Sequence, residues 1–378
     1  MNFDDRVLLP NGIFDTVYPQ AFVEWQASNM LLSEFHAFGY RLVNPPLMEF
    51  ENTLLSASDN KETNENTFRV MDSKSYRMMG IRSDMTPQIA RLASTCLKNE
   101  PRPLRLMYSG DVLHVKGSVM RPQRSFKQYG VELVGVDNAD ADTEVILLSL
   151  QALEKAGVKK LSVDINIPLL PKLSADSVGV EFSDVAVFIE KRDASALEKC
   201  NGIAGEVLSS LVKCTGRADR VLPKLQALPL NDMAMGLINR TREILEILQN
   251  RLSEDVLITI DACETRGFSF QTGIGFTLFS GDARGELGRG GRYVLEATQE
   301  SCVGFSIYSD GLMSVLPVEV EEKRIFAPYN TQYEDISVQR KNGNVIICGF
   351  DDDNDVYTSA KVQKCTHILI DNEIIALN

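Results

Sequence analysis

The order of hydrophobic patterns predicts an α+β chain. Three observations carry this: a long helical stretch over 20–38, paired strands over 104–113 and 126–134, and leucines in i, i+3, i+4 groupings from about 168 to 254. With 378 residues and 44% hydrophobic content, the chain can bury one large core and one or two smaller units.

Pro10-Asn11-Gly12 opens the chain with a turn. Gln20 to Phe38 then carries Phe22, Trp25, Met30, Leu31, Phe35 and Phe38 at helical spacing, and Gly39 ends the helix. Tyr40 to Val43 reads as a strand running into Pro45-Pro46. Thr67–Asp72 and Tyr76–Arg82 alternate as paired strands around Ser73-Lys74. Thr86 before Pro87 reads as a helix N-cap followed by proline at the first helical position. After the strand pair, Asp140 to Ala156 predicts a helix stopped by Gly157, and Leu161 to Ile165 a strand. The leucine-rich segment over 168–254 predicts helices throughout, before Ile258 to Asp261 returns to strand. Beyond Leu316, residues 324–328, 344–347 and 367–370 predict three short strands, with an acidic, solvated loop at Phe350–Asp355.

Charge and composition exclude several classes. The net charge of -13 and the lack of a Lys/Arg cluster argue against nucleic acid as a partner. No apolar run approaches a membrane span, and Met1-Asn2-Phe3-Asp4-Asp5 is no signal sequence, so no membrane partner is expected and the cytosol is the expected compartment. Seven cysteines form no CxxC pair. With three histidines, only the Cys365/His367 pair close together and core packing the better account of it, no metal site is expected.

The chemistry sits in longer motifs. Arg105-Leu106-Met107-Tyr108-Ser109-Gly110-Asp111-Val112-Leu113-His114-Val115-Lys116, with Phe126-Lys127-Gln128-Tyr129-Gly130-Val131-Glu132-Leu133 downstream, resembles motif 2 of class II aminoacyl-tRNA synthetases, in particular histidyl-tRNA synthetase. The helix and strand over 20–48 resemble motif 1, the dimer-forming element. Arg266-Gly267-Phe268-Ser269-Phe270-Gln271-Thr272 followed by Gly290-Gly291-Arg292-Tyr293 resembles the histidine-specific signatures, and Val303 to Leu312 resembles motif 3. The resemblance implies a mostly antiparallel sheet flanked by helices over 1–165 and 256–318. It also implies a helical insertion over 166–255; residues 319–378 are left as a small C-terminal α/β unit, too short and too acidic for an anticodon-binding domain.

The same resemblance exposes what is missing. The family's ATP-gripping arginine and glutamate of motif 2 are His114 and Lys116 here; the motif 3 arginine is Gly311, and the glycine that makes room for adenine is Tyr308. Phosphate chemistry needs fixed cations, and losing one such donor typically costs roughly 3 kcal/mol or more of transition-state stabilisation. Adenylate synthesis is therefore not expected, and no residue is assigned a catalytic role. The histidine side is kept: Asp84, Thr86, Gln128, Glu132, Arg266, Gln271 and Tyr293 fall on the positions that hold the amino acid. The resemblance implies that Glu132 accepts from the imidazole, Arg266 pairs with the carboxylate, and Asp84 with Gln128 takes the ammonium group. At Gln271 the family has a tyrosine.

A histidine pocket without ATP machinery resembles the regulatory subunits of short-form ATP phosphoribosyltransferase. This implies a protein of histidine biosynthesis that dimerises like a synthetase and joins the short catalytic subunit in a hetero-octamer. It would activate that subunit and convey feedback inhibition by histidine, with no cofactor of its own. Two rival readings are a divergent synthetase-like ligase with a rewired ATP site and a free-standing histidine sensor.

Overall fold

The computed structural model describes residues 8–55, 61–118, 121–200, 202–253, 255–265, 271–320, 322–351 and 355–377, with backbone only at 61–63. The chain divides into two compact units, Met1–Pro317 and Val318–Asn378.

The first unit opens with helix α1 (Gln20–Ala37) and strand β1 (Arg41–Leu42), then β2 (Met48–Phe50), α2 (Glu51–Leu55), α3 (Lys61–Asn66), β3 (Phe68–Met71) and β4 (Met78–Ile81). Next come α4 (Thr86–Ser94), β5 (Leu104–Leu113), β6 (Ser125–Val134), α5 (Ala139–Lys155) and β7 (Leu161–Asn166). The segment that follows holds α6 (Leu170–Ser177), α7 (Phe182–Glu190), α8 (Ala194–Leu197), α9 (Ile203–Val212), β8 (Thr215–Arg217), α10 (Ala218–Gln226) and α11 (Asp232–Gln249). The chain then returns to the sheet through β9 (Leu257–Asp261), β10 (Gln271–Ser280), β11 (Gly288–Val294) and β12 (Ser301–Tyr308), and ends the unit with α12 (Ser309–Met313).

Among the described residues these strands form a nine-stranded sheet in the order β1-β5-β6-β12-β11-β10-β7-β9-β8. Its centre, from β5 to β7, is antiparallel throughout; β1 and β9 join in parallel. Strands β2, β4 and β3 make a separate antiparallel sheet. The expectation of helices throughout 168–254 needs one correction. Thr215-Gly216-Arg217 is a strand that pairs with β9, so the inserted segment contributes to the main sheet.

One face of the main sheet is covered by helices. On α1 the buried stripe is Val23, Ala27, Leu31 and Phe35, one residue per turn, and the Phe35 ring meets Phe305 of β12 edge-on at 5.4 Å. Trp25 and Met30, expected on the core face, are instead exposed at 56% and 40%. Helix α5 is buried along most of its length, and its Asn138 cap accepts from Ala141 N–H at 2.9 Å.

An ion-pair network ties the insertion to the sheet. Asp142 of α5 accepts from Arg292 Nε–H of β11 at 2.8 Å and from Arg240 Nε–H of α11 at 2.7 Å. Asp142 and Arg292 side chains are only 3% and 5% exposed, so neither charge has water to fall back on.

The second unit contains β13 (Arg324–Ala327), α13 (Tyr333–Lys341), β14 (Val345–Cys348), α14 (Val356–Val362), β15 (His367–Ile370) and β16 (Glu373–Ala376). Its sheet runs β14-β13-β15-β16, with the first three strands parallel. Ile336 of α13 and Ala360 of α14 enter separate apolar clusters on the sheet. Two helices and β16 thus join the three strands expected here. Cys365 lies just before β15 and is buried. Of the described cysteines, Cys96 alone is fully exposed.

Among the described residues no helix is long and apolar enough to cross a membrane. Replacing Asp142→Asn removes the buried counter-ion of Arg292, leaving only the exposed Asp137 at 3.6 Å, and should lower stability by about 3 kcal/mol. Urea unfolding followed by circular dichroism measures this; a loss below about 1 kcal/mol would mean that water reaches the network.

Candidate functional site

The sheet face opposite α1 and α5 lines a cavity of about 1290 Å³. Strand alternation sends Glu132, Tyr293, Gly304 and Ser306 to this face, since every second residue of a strand points the same way. Glu132 of β6 pairs in register with Gly304 of β12, which in turn pairs with Gly291 of β11. The glycines leave the room: a Cβ at Gly304 would overlap the Glu132 carboxylate, and one at Gly291 would overlap the Gln271 amide.

Glu132 is 2% exposed, and its Oε2 accepts from the Tyr293 hydroxyl at 2.9 Å. Burial pushes its carboxyl up to about 8, although hydrogen bonds from Tyr293 and Tyr108 pull the other way. Near neutral pH burial therefore favours the protonated form of Glu132.

Asp84 comes from the loop between β4 and α4. Arg82 fixes that loop by donating to the Pro45 carbonyl at 3.0 Å and the Asp111 carbonyl at 2.8 Å. Thr86 is not the N-cap the sequence suggests. It is the first helical residue, its N–H donates to Asp84 Oδ1 at 3.0 Å, and its hydroxyl lies 3.5 Å from Tyr108. Gln128 is wholly engaged. Its Oε1 accepts from Met85 N–H at 2.9 Å, while Nε2 donates at 2.7 Å to both Asp84 and Ser306. It braces Asp84 from behind and is absent from the cavity wall. Gln271 and Tyr293 line the cavity, as do Asp84, Thr86 and Glu132. Arg266 lies outside the described residues.

Ser306 and Tyr108, 3.0 Å apart, complete the network and were not singled out from the sequence. The register of β6 against β12 sets Ser306 opposite Gly130, beside Gln128, so their proximity depends on strand pairing.

On the other side of the cavity two of the lining arginines are paired with acidic groups. Arg121 pairs with Asp310 at 3.0 Å, approaches Glu286 at 3.6 Å, and stacks over the Tyr308 ring at 4.2 Å. Arg289 pairs with Glu286 at 2.7 Å. His114 donates its Nε2–H to the Ser83 carbonyl at 2.9 Å, serving the same loop that carries Asp84. At Gly311 a Cβ would lie 2.9 Å from the Glu286 carbonyl oxygen, so the backbone leaves no space for an arginine there. Among the described residues no group of three His, Cys, Asp or Glu side chains could hold a metal ion.

The raised Glu132 carboxyl has a consequence for stability. Its folded value exceeds the ordinary carboxylate value, so between roughly pH 4.5 and 8 the folded chain holds a proton that the unfolded chain has lost. Stability falls as pH rises through that window, by up to about 1.4 kcal/mol per pH unit. Glu132→Gln removes this slope, so the ligand-free variant should gain on the wild type steadily from pH 5 to pH 8. Parallel melting curves would contradict a buried, protonated Glu132.

Comparison with known proteins places this geometry. The family model described as histidyl-tRNA synthetase matches residues 12–312. The ATP phosphoribosyltransferase regulatory subunit of Paramagnetospirillum magneticum is 39% identical, over 97% of this chain and 96% of that protein. That of Rhodospirillum centenum is 37% identical, over 96% and 94%. Among solved structures, an ATP phosphoribosyltransferase regulatory subunit/histidyl-tRNA synthetase from Bacillus halodurans superposes with a TM-score of 0.81 at 24% identity, covering 96% of this chain and 97% of that one. Histidyl-tRNA synthetase from Nostoc gives 0.77 at 18% identity, covering 98% and 91%. The fold is that of a class II synthetase, and the chain belongs to the family of ATP phosphoribosyltransferase regulatory subunits.

Proposed function

We propose that the cavity binds free histidine and that the chain relays its presence to a short-form ATP phosphoribosyltransferase catalytic subunit, activating that subunit and conveying feedback inhibition in histidine biosynthesis. The observation that carries this reading is the division of one cavity into two halves. The amino-acid half keeps Asp84, Thr86, Glu132 and Tyr293 around a buried carboxyl, while the nucleotide half is filled by the Arg121–Asp310 pair and Tyr308. Asp84, held by Gln128, would meet the ammonium group, Glu132 the imidazole, and Arg266 the carboxylate. The rival ligase reading loses support because Arg121 and Arg289 are held by Asp310 and Glu286, and the Tyr308 ring stacks on Arg121.

Feedback follows from linkage. Histidine shifts the assembly only by its difference in affinity between active and inhibited states. The assembly is read as a cytoplasmic hetero-octamer in which this chain supplies no catalytic group. Its own dimer would form through residues 20–48, where Trp25, Met30, Leu42 and Leu47 are exposed side chains on one short stretch.

Mixing the chain with a short catalytic subunit should raise transferase activity, and histidine should lower it. Glu132→Gln should raise the histidine needed for half-inhibition at least about tenfold, and Arg266→Ala should raise it further. Calorimetry of the complex should give different histidine affinities with and without the catalytic subunit's substrates; identical affinities would make the pocket a relic. For the dimer, sedimentation of the isolated chain should show two copies at micromolar concentration, and Trp25→Glu should weaken the association about tenfold or more. A stable wild-type monomer would remove that interface.

A further inference from the structure

The imidazole of His114 joins the two sheets of the first unit. The residue follows β5 of the main sheet, and its Nε2 lies 2.9 Å from the carbonyl oxygen of Ser83, on the loop that leaves β4 of the small sheet. A carbonyl oxygen only accepts, so Nε2 carries the proton and donates. The backbone repeats the link one residue earlier, where Leu113 N–H donates to the Arg82 carbonyl at 3.1 Å. The ring is itself held. It meets the Phe126 ring edge-on at 5.0 Å, the His114 N–H donates to the Arg124 carbonyl at 2.8 Å, and the His114 carbonyl accepts from Arg124 Nε–H at 3.0 Å. Ser83 is buried, which leaves water a poor substitute for the imidazole as donor.

What this bond fixes is the main chain of Asp84. The Ser83 carbonyl and the Asp84 nitrogen and Cα belong to one planar peptide unit, so holding the oxygen holds the root of the Asp84 side chain. The tip is held separately. Oδ1 accepts from Thr86 N–H at 3.0 Å and from Gln128 Nε2–H at 2.7 Å, and neither bond uses Oδ2.

We propose that His114 is a positioning residue for the ligand's ammonium group, acting through Ser83 and Asp84 and not by contact. The proposal rests on the histidine reading of the cavity and names a residue that sets its affinity for an α-amine. A charge-assisted hydrogen bond weakens as its geometry drifts, so slack at Asp84 should cost binding only for ligands that carry the amine.

Titration calorimetry of the full chain with L-histidine and with imidazolepropionate, which lacks the amine, tests this. His114→Gln keeps an amide N–H as many bonds from Cβ as the imidazole Nε2, and should bind L-histidine within about threefold of the wild type. His114→Asn ends one bond short of Ser83 and should bind L-histidine at least about tenfold more weakly. Imidazolepropionate, the weaker ligand from the outset, should bind each variant within about threefold of the wild type. Equal losses of both ligands in His114→Asn would make His114 a general support of the fold, and unchanged L-histidine binding there would remove its role; either result overturns the proposal. A tenfold loss of L-histidine in His114→Gln would overturn it too, whether or not His114→Asn folds. No histidine binding to the wild type would overturn the pocket itself.

Discussion

The constraint on which the site depends is a carboxyl group buried in the middle of a β-sheet. Glu132 stands over Gly304 with hydrogen bonds from Tyr293 and Tyr108, and burial favours its protonated form near neutral pH. Isolated charge in such a place is costly, so the site tolerates Glu132 by keeping it neutral until something better arrives. Gly304 and the Tyr293 hydroxyl serve to house that one group.

Around it, two halves of one cavity have diverged. In the amino-acid half, polar atoms form a fixed frame: Gln128 braces Asp84 and Ser306, and the loop is nailed down by Arg82 and His114. Across the cavity, Arg121 and Arg289 are paired with acidic side chains. Arg121 is held between Asp310, Glu286 and the Tyr308 ring, so its charge is spent inside the protein.

Much of this was legible in the sequence, for physical reasons that differ by element. Strands β5 and β6 were legible through their place in motif 2, since β6 is buried almost without a break and carries no long alternation of its own. The three residues of β8 did not, since only their pairing with β9 makes them a strand. Strand β16 could have been found: Asp371 and Asn372 both take positive φ, the signature of a two-residue hairpin turn that this dipeptide favours. On α1, apolar periodicity alone could not separate the buried stripe from exposed Trp25 and Met30. In the site, residue types at motif positions located Glu132, Asp84 and Tyr293. The secondary role of Gln128 and the closure by Arg121 were hidden, because they depend on neighbours across strands and beyond the motifs.

The central claim is that one half of a synthetase site survives and the other is chemically closed. ATP–pyrophosphate exchange in the presence of histidine tests it most directly, because exchange requires both halves to work together. No exchange above a protein-free control is predicted for the wild-type chain, since Arg121 is engaged by Asp310 and the Tyr308 ring. Histidine-dependent exchange above that control in the wild-type chain would contradict the account.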